Sequence, residues 1–181
     1  MARPRRIVSL VPSLTETLVS FGLIDRLVGR TRYCVEPAGP LEPVPSVGGT
    51  KNPDVEAIVA LEPDLVVVNQ EENRIEDCRA LEGAGIELHV THPRTVDGAI
   101  TMLEELAARL GVALEQAGLI SGCRLALEQA ERKLALGTPV QGFCPIWRKP
   151  WMTFASQTYI GDMLRLGGIT NLFGERKGED F

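Results

Sequence analysis

The sequence predicts an α/β protein in which residues 1–110 form a parallel sheet covered by helices. Short apolar segments of strand length alternate here with segments of helical composition, and the Val-rich residues 65–68 are typical of a buried strand. A third observation is the lack of proline in residues 114–136, where Ala, Leu, Glu, Gln and Arg dominate. This composition predicts one long helix after the sheet region.

The first strand is predicted at residues 7–11, which are apolar throughout. Ser13 and Glu16 have the spacing of a capping box, in which each side chain bonds the other residue's backbone N–H, and they predict a helix that ends before Gly22. A second short strand is predicted to start at residue 27 and to end at residues 31–34.

The rest of the first lobe continues the alternation. Asn52 is the predicted N-cap of the next helix, because Pro53 suits the first helical position. Consecutive strands and helices of this kind imply right-handed crossovers and a three-layer lobe. The remaining predicted elements are a helix at 53–61, a strand at 65–68, a helix at 72–81, a strand at 86–90 and a helix at 95–110 capped by Thr95.

The long helix separates this lobe from a second, shorter region. A helix over residues 114–136 would extend roughly 35 Å, which is better suited to joining two bodies than to flanking one sheet. Residues 137–181 predict only a strand at 140–144 and a helix at 158–166, too little to close a core. The predicted domains are therefore an N-terminal lobe at 1–110, a linking helix at 111–136 and an incomplete C-terminal lobe at 137–181.

Composition excludes several classes of function. The formal net charge is −5, and the only basic cluster is Arg3, Arg5 and Arg6, which argues against nucleic acid. No apolar segment approaches the roughly 20 residues that span a bilayer, so no membrane span is predicted. The four cysteines lack the spacing of a zinc site or a disulfide framework, so reduced thiols are expected.

The N-terminus does not match a secretory signal. The arginines precede the apolar residues 7–11, but Pro12, Ser13 and Glu16 end that apolar run well short of a signal core. As written, the chain is predicted to be cytoplasmic. A periplasmic or cell-surface location follows if the natural N-terminus lies further upstream.

Polar or aromatic side chains follow four of the predicted strands. Because the carboxyl ends of parallel strands open at one edge of a sheet, these side chains predict a ligand-binding cleft. No P-loop, dinucleotide-binding motif or Ser-His-Asp order is present, so the protein is predicted not to be an enzyme. The candidate ligand-binding residues are Tyr33, Cys34, Lys51, Asn52, Glu71, Glu72, Asn73, Arg74, His92, Trp147, Arg148 and Trp151.

The first candidates lie after the second strand and at a helix start. Tyr33 and Cys34 offer a phenol and a thiol that pack on or ligate a metal-bearing ligand, although such a cysteine is more often a small buried hydrophobe. Lys51 and Asn52 lie at the predicted helix N-terminus, where free N–H groups favour an anionic group. Asn52 is expected to cap the helix whether or not a ligand binds.

The next candidates follow the third and fourth strands. Glu71 and Glu72 have an alternative explanation as acidic residues of a helix first turn, but that alternative does not account for Arg74. His92 is a candidate because imidazole commonly ligates metals and corrinoid cobalt, and its alternative is a surface histidine. Whether metal is bound directly is left open, with His92 and Cys34 as candidate ligands.

The second lobe contributes an aromatic and cationic cluster. Trp147 and Trp151 are suited to stacking on a macrocycle, and Arg148 to pairing with a carboxylate or phosphate. Packing of at least one tryptophan in the core is the alternative. Asp162 is expected to be solvated within the following helix.

Several motifs together resemble the helical-backbone metal receptors, the vitamin B12 and iron-siderophore substrate-binding proteins of ABC importers. Within that family the chain is most similar to a signal-less, cobalamin-binding-like subgroup. The subgroup marks are Thr31-Arg32-Tyr33-Cys34, Gly49-Thr50-Lys51-Asn52-Pro53, Glu71-Glu72-Asn73-Arg74 and Pro145-Ile146-Trp147-Arg148. The family motifs are Pro12-Ser13-x-Thr15-Glu16, Val47-Gly48-Gly49, Ala60-Leu61-Glu62-Pro63-Asp64-Leu65-Val66 and Gly167-Gly168-Ile169-Thr170-Asn171.

The resemblance implies a fold and a docking residue. The expected fold has two Rossmann-like three-layer lobes joined by one long backbone helix, with the ligand in the cleft between them and the second lobe truncated here. Glu56 corresponds to the family's N-lobe glutamate that docks on the permease, with a solvated helix residue as its alternative. The matching glutamate of the second lobe would lie beyond Phe181.

The resemblance also implies a function. The chain is expected to be a substrate-binding protein for a metal chelate or corrinoid, either with an ABC permease as partner or as a cytoplasmic carrier. The candidate ligands are cobalamin, haem and ferric siderophores, and no cofactor is required. The alternative is a chelatase-like enzyme of metal or tetrapyrrole handling, with His92, Glu71 and Cys34 forming a metal site.

Overall fold

In the computed structural model, which describes residues 3–113 and 118–174, a four-stranded parallel sheet forms the centre of the first unit. The strand order is β2-β1-β3-β4. Val66 of β3 pairs with Val8 of β1 on one side and with Leu88 of β4 on the other. The strands are β1 (Ile7–Ser9), β2 (Leu27–Arg30), β3 (Leu65–Asn69) and β4 (Leu88–Thr91).

Helices cover both faces of this sheet. Successive strand residues point to opposite faces, and because all of residues 65–68 are apolar and buried, both faces need a cover. On one face, Ile58 and Leu81 pack in a buried cluster with Val66. On the other, the Thr15 hydroxyl donates to Ser9 Oγ at 2.8 Å. The predicted three-layer arrangement is confirmed. The helices before the second unit are α1 (Pro12–Ser20), α2 (Ala38–Leu41), α3 (Val55–Ala60) and α4 (Ile75–Gly83), with a 3-10 turn at Ile24–Arg26, and α5 (Val96–Leu110) belongs partly to each unit.

The predicted capping box at the start of α1 is wrong. The helix begins at Pro12, and its N-cap is Val11, which makes no side-chain capping bond. Ser13 therefore already lies inside the first turn. Proline fits that position because its missing N–H is one that the helix leaves unbonded anyway.

The predicted cap of α3 is also wrong. The helix begins at Val55, and the Asp54 side chain caps it by accepting a hydrogen bond from Ala57 N at 2.9 Å. Asn52 and Pro53 belong to the preceding loop. Asn and Asp are about equally good N-caps, so the sequence offered two competing start sites.

Of the described residues, 93–106 and 118–174 form the second unit, and 3–92 and 107–113 form the first. The second contains α6 (Gly118–Leu136), β5 (Val140–Gly142), α7 (Tyr159–Leu166) and β6 (Ile169–Asn171), with β5 and β6 paired in parallel. The predicted lobe boundaries remain a prediction, although residues 93–106 group with the second unit. Of the predicted long helix, residues 114–117 lie outside the described residues.

Two details of the second unit differ from expectation. β6 was not predicted, because a three-residue strand after Gly168 has too little apolar pattern to stand out. Asp162 is buried rather than solvated: it accepts from Val96 N at 2.8 Å and pairs with Arg165 at 2.8 Å. No helix within the described part of the chain is long and apolar enough to cross a membrane.

Asp64 provides a pH-dependent contribution to the first unit. Its carboxylate accepts from Arg5 N at 2.7 Å and from Arg6 N at 2.9 Å, and these backbone bonds lower the pKa of Asp64. A lowered folded-state pKa stabilises the fold above about pH 4, and this contribution is lost as pH falls through the folded-state value. Because the side chain is exposed, the effect is at most about 1 kcal/mol.

We therefore expect Asp64→Asn to destabilise the protein slightly at pH 7, and not at an acidic pH below the folded-state pKa of Asp64, where its carboxyl is neutral as well. Urea unfolding at both pH values measures the difference. Glu42→Gln, which removes another exposed carboxyl of the same unit, serves as the control. An equal loss for Asp64→Asn at both pH values would show that its charge is not involved.

Candidate ligand-binding site

The carboxyl edge of the four-stranded sheet brings Glu71 and His92 together. Asn69 pairs with Thr91 across β3 and β4, and Gln70 N donates to Thr91 O at 3.0 Å. The two chains therefore leave the sheet side by side. As a result, His92 Nε2 lies 3.3 Å from Glu71 Oε1.

The loop at residues 48–53 lies beside this pair. Lys51 Nζ donates a hydrogen bond to the carbonyl of Glu71. The loop turns tightly at Gly48, whose φ of 97° favours glycine, and Gly49 N donates to Asn52 O at 3.2 Å. Since α3 begins only at Val55, Lys51 and Asn52 are not at a helix N-terminus, and that part of the prediction is wrong.

An exposed aromatic ring lies on the other side of this loop. Tyr33 is 54% exposed, and the Arg32 guanidinium carbon is 5.3 Å from its ring centroid. Arg32 also donates to Asn52 Oδ1 at 3.3 Å. Sequence reasoning did not select Arg32 as a site residue, although its position beside Tyr33 in a strand-end turn was a usable signal.

Cys34 does not share this exposure. It is 1% exposed, and its Sγ lies 3.0 Å from Thr15 Oγ1 and 3.1 Å from Thr31 Oγ1. The thiol faces the interior, so the structure favours the buried alternative over contact with a ligand or metal.

Asn73 is also buried, at 7% exposure. Its Oδ1 accepts from Asn69 N at 2.8 Å, and its Nδ2 donates to Leu10 O at 3.3 Å and to Thr50 O at 3.0 Å. These bonds connect the ends of β1 and β3 with the loop at residues 48–53. Its placement indicates a structural role beneath the candidate site.

Glu72 and Arg74 lie on the surface of the same turn. Arg74 is the N-cap residue of α4, and its Nε lies 3.5 Å from Glu76 Oε2. Because α4 begins at Ile75, Glu71 and Glu72 precede the helix rather than form its first turn. The alternative explanation for these two glutamates is therefore wrong.

Glu56 is exposed in the first turn of α3. Ile58, two residues later, is fully buried against the sheet. Two residues subtend about 200° around a helix, which places Glu56 on the outer surface.

The aromatic cluster of the second unit forms an exposed turn. Ile146 N donates to Met152 O at 2.9 Å, and Met152 N donates to Trp147 O at 3.1 Å. Trp147 and Trp151 are each 64% exposed, so neither is packed in a core and that alternative is wrong. The Arg148 guanidinium carbon lies 5.9 Å from the Trp151 ring. The turn surrounds an open concavity of about 410 Å³ lined by Pro145, Ile146, Trp147, Arg148 and Trp151.

Across residues 3–113 and 118–174, no group of three or more His, Cys, Asp or Glu side chains is placed to hold a metal ion. The predicted pair of His92 and Cys34 is not brought together as a ligand set, because the thiol is buried with Thr15 and Thr31 while His92 contacts Glu71.

Residues 7–181 match the family described as periplasmic binding protein, and the chain belongs to this family. The resemblance to helical-backbone metal receptors is thereby confirmed. The vitamin B12-binding protein of Vibrio campbellii (strain ATCC BAA-1116) is 29% identical over 173 residues, covering 94% of this chain and 62% of the relative. That of Photorhabdus laumondii is 28% identical over 174 residues, covering 95% and 62%. The chain thus spans less than two thirds of these relatives' length.

Solved structures confirm the predicted fold class. The crystal structure of the periplasmic vitamin B12 binding protein BtuF of Vibrio cholerae matches with a TM-score of 0.84 at 24% identity, covering 97% of this chain and 68% of that one. A periplasmic heme binding protein from Pseudomonas aeruginosa matches with a TM-score of 0.71 at 25% identity, covering 93% and 63%. These relatives are binding proteins, and the chelatase-like alternative gains no support from them.

Proposed function

We propose that the chain binds a planar metal chelate, a corrinoid or haem, as the substrate-binding component of an ABC importer. One observation carries the proposal: each unit presents an exposed aromatic ring with an arginine beside it. These pairs are Arg32 with Tyr33 and Arg148 with Trp151.

The chemistry of these pairs suits such a ligand. An exposed ring stacks on the flat face of a macrocycle, and a guanidinium pairs with carboxylates or phosphates on its rim. Lys51 and Arg74 supply further cations in the first unit, beside the carboxylates of Glu71, Glu72 and Glu76. The names of the relatives, vitamin B12-binding and heme-binding proteins, support the same ligand class.

The location and partner follow from the same proposal. The relatives are periplasmic proteins, which supports a periplasmic or cell-surface location over the predicted cytoplasmic one. A permease is the proposed partner. Glu56 is the proposed contact because its carboxylate is exposed on the outer surface of α3.

Binding can be tested with coloured ligands. Purified protein is incubated with aquacobalamin, haemin or a ferric hexadentate siderophore and desalted, and the absorbance that remains with the protein is recorded. We expect about one equivalent of aquacobalamin or haemin to be retained. Retention of neither aquacobalamin nor haemin would overturn the proposal.

A matched pair of variants locates the binding surface. Tyr33→Ala and Trp147→Ala, which remove exposed rings, should each lower retention. Tyr159→Ala removes another partly exposed ring, on α7 and outside the candidate surfaces, and serves as the control. If all three variants lost ligand retention equally, the loss would reflect a general effect on the protein and not removal of a binding ring.

A further inference from the structure

We propose that Arg30 is the positioning residue for the ring and the guanidinium that the first unit presents to the ligand, those of Tyr33 and Arg32. This role rests on the proposed function, in which these two side chains contact the ligand. Arg30 is the last residue of β2, and its side chain is half-buried. It acts on the ligand only through the turn that follows it.

Arg32 and Tyr33 are the two central residues of a β-turn. Cys34 N donates to Thr31 O at 3.1 Å, a bond that closes a turn of four residues. Thr31 and Cys34 are buried, whereas Arg32 and Tyr33 are exposed. The ends of the turn are therefore anchored in the interior while its two central residues lie on the surface.

The Arg30 guanidinium holds both ends of this turn. Its Nη1 donates to Thr31 O at 3.3 Å and to Cys34 O at 3.1 Å. Its Nε donates to Leu41 O at 3.2 Å, which connects the turn to the end of α2. An arginine is suited to making these bonds together because its donors are spread over a rigid planar fork, whereas a lysine offers a single nitrogen on a flexible stem.

The backbone of Arg30 is itself fixed on the sheet. Arg30 N donates to Pro45 O at 3.0 Å, and Arg30 O accepts from Val47 N at 2.8 Å. Ser9 of β1 pairs with Arg30 from the neighbouring strand. Because the base of the side chain cannot move, the guanidinium fixes the turn relative to the sheet.

A turn held in this way prepares its two exposed side chains for a ligand. Thr31 Oγ1 accepts from Tyr33 N at 3.3 Å, and Arg32 N donates to Gly48 O at 2.8 Å, so the backbone of both central residues is bonded as well. Side chains on a fixed backbone have fewer conformations to lose, and binding then costs less entropy. Loss of the Arg30 bonds should therefore weaken binding although Arg30 itself touches no ligand.

The first test is a titration of the purified full chain with haemin. Arg30→Lys keeps the positive charge but not the planar fork, and should weaken binding about tenfold, the scale of ordering one or two side chains. In the double variant Arg32→Ala/Tyr33→Ala, which leaves no side chains to position, the same change should alter affinity less than about twofold. Arg26→Lys is the matched control. Arg26 is another half-buried arginine that donates to a carbonyl, Leu110 O at 2.9 Å, and the change should leave affinity unaltered.

Nuclear magnetic resonance of the ligand-free protein observes the turn directly. The sequence contains two tyrosines, Tyr33 and Tyr159, so ring-labelled tyrosine gives one set of signals from each. Arg30→Lys should shift and sharpen the Tyr33 signals, because the ring lies on a looser turn, and leave those of Tyr159 unchanged. Circular dichroism establishes that each variant is folded. Arg30→Gln, which is neutral and shorter, is the second variant if Arg30→Lys does not fold, and the same results are expected from it.

The outcomes separate this role from the proposed function. An unchanged affinity in Arg30→Lys, or an equal loss with and without the side chains of Arg32 and Tyr33, would overturn the positioning role while the proposed function stands. Equal changes at both tyrosines would show a general effect on the protein and contradict it too. If the unaltered protein retains neither haemin nor aquacobalamin, the proposed function fails, and the Tyr33 signals still decide whether Arg30 fixes the turn.

Discussion

Asn73→Ala is expected to destabilise the protein by about 2–4 kcal/mol in the absence of any ligand. Asn73 is 7% exposed and makes three hydrogen bonds, to Asn69 N, Leu10 O and Thr50 O. Alanine would leave these backbone groups without a hydrogen-bond partner. Each buried polar group left unsatisfied in this way costs about 1–3 kcal/mol of stability. Water entering the space would recover part of that cost.

Urea unfolding followed by circular dichroism measures this loss. Asn52→Ala is the matched control, because Asn52 is an exposed asparagine of the adjacent loop whose side chain makes a single bond of 3.3 Å to Arg32. We expect the control to change the free energy of unfolding by less than about 0.5 kcal/mol, as is usual at surface positions. Similar values for the two variants would mean that Asn73 does not anchor the loop.

Asn73 shows where the sequence misleads about function. It stands between charged residues in a strand-end turn, which is the pattern of a ligand-binding residue, and was predicted as one. What separates it from Glu72 is the direction of its side chain, and that depends on where the loop at residues 48–53 lies. A contact between segments more than 20 residues apart leaves no local signal, as the bond from Asn73 to Thr50 illustrates.

The fold could be predicted further than the site. The alternation of strand-like and helix-like segments gave the order of elements, and the composition of residues 65–68 matched a central strand buried on both faces. Helix starts were less predictable, because Asn52 and Asp54 compete as caps and only tertiary packing decides between them. β6 could not be predicted because its three residues carry too little apolar pattern to stand out.

Within the candidate site, too, some contacts could be predicted from the sequence and others could not. The meeting of Glu71 and His92 follows from topology alone, since both leave adjacent parallel strands at one edge. The burial of Cys34 could not be predicted from topology. A shift of one residue along a turn decides whether a side chain points into the protein or towards solvent. Tyr33 is exposed, whereas the neighbouring Cys34 thiol is buried and lies 3.0 Å from Thr15 Oγ1.

Trp147→Ala is expected to weaken chelate binding by about 1–3 kcal/mol, the scale of stacking a flat ring on an aromatic side chain. The same change should leave the free energy of unfolding within about 0.5 kcal/mol, because the ring is 64% exposed and the turn is closed by backbone bonds. Calorimetric titration with haemin and urea unfolding without it measure the two effects separately.

Trp151→Ala provides the contrasting variant from the same turn. Trp151 is equally exposed, but its ring meets Phe143 edge-on at 6.4 Å and lies near Arg148. An aromatic pair of this kind contributes about 0.5–1.5 kcal/mol, so Trp151→Ala should lower stability as well as affinity. We therefore expect Trp147 to affect ligand binding only and Trp151 to affect both binding and the shape of the turn. If Trp147→Ala lowered the unfolding free energy of the ligand-free protein as much as Trp151→Ala, Trp147 would be structural, and the second unit would lose its assigned binding surface.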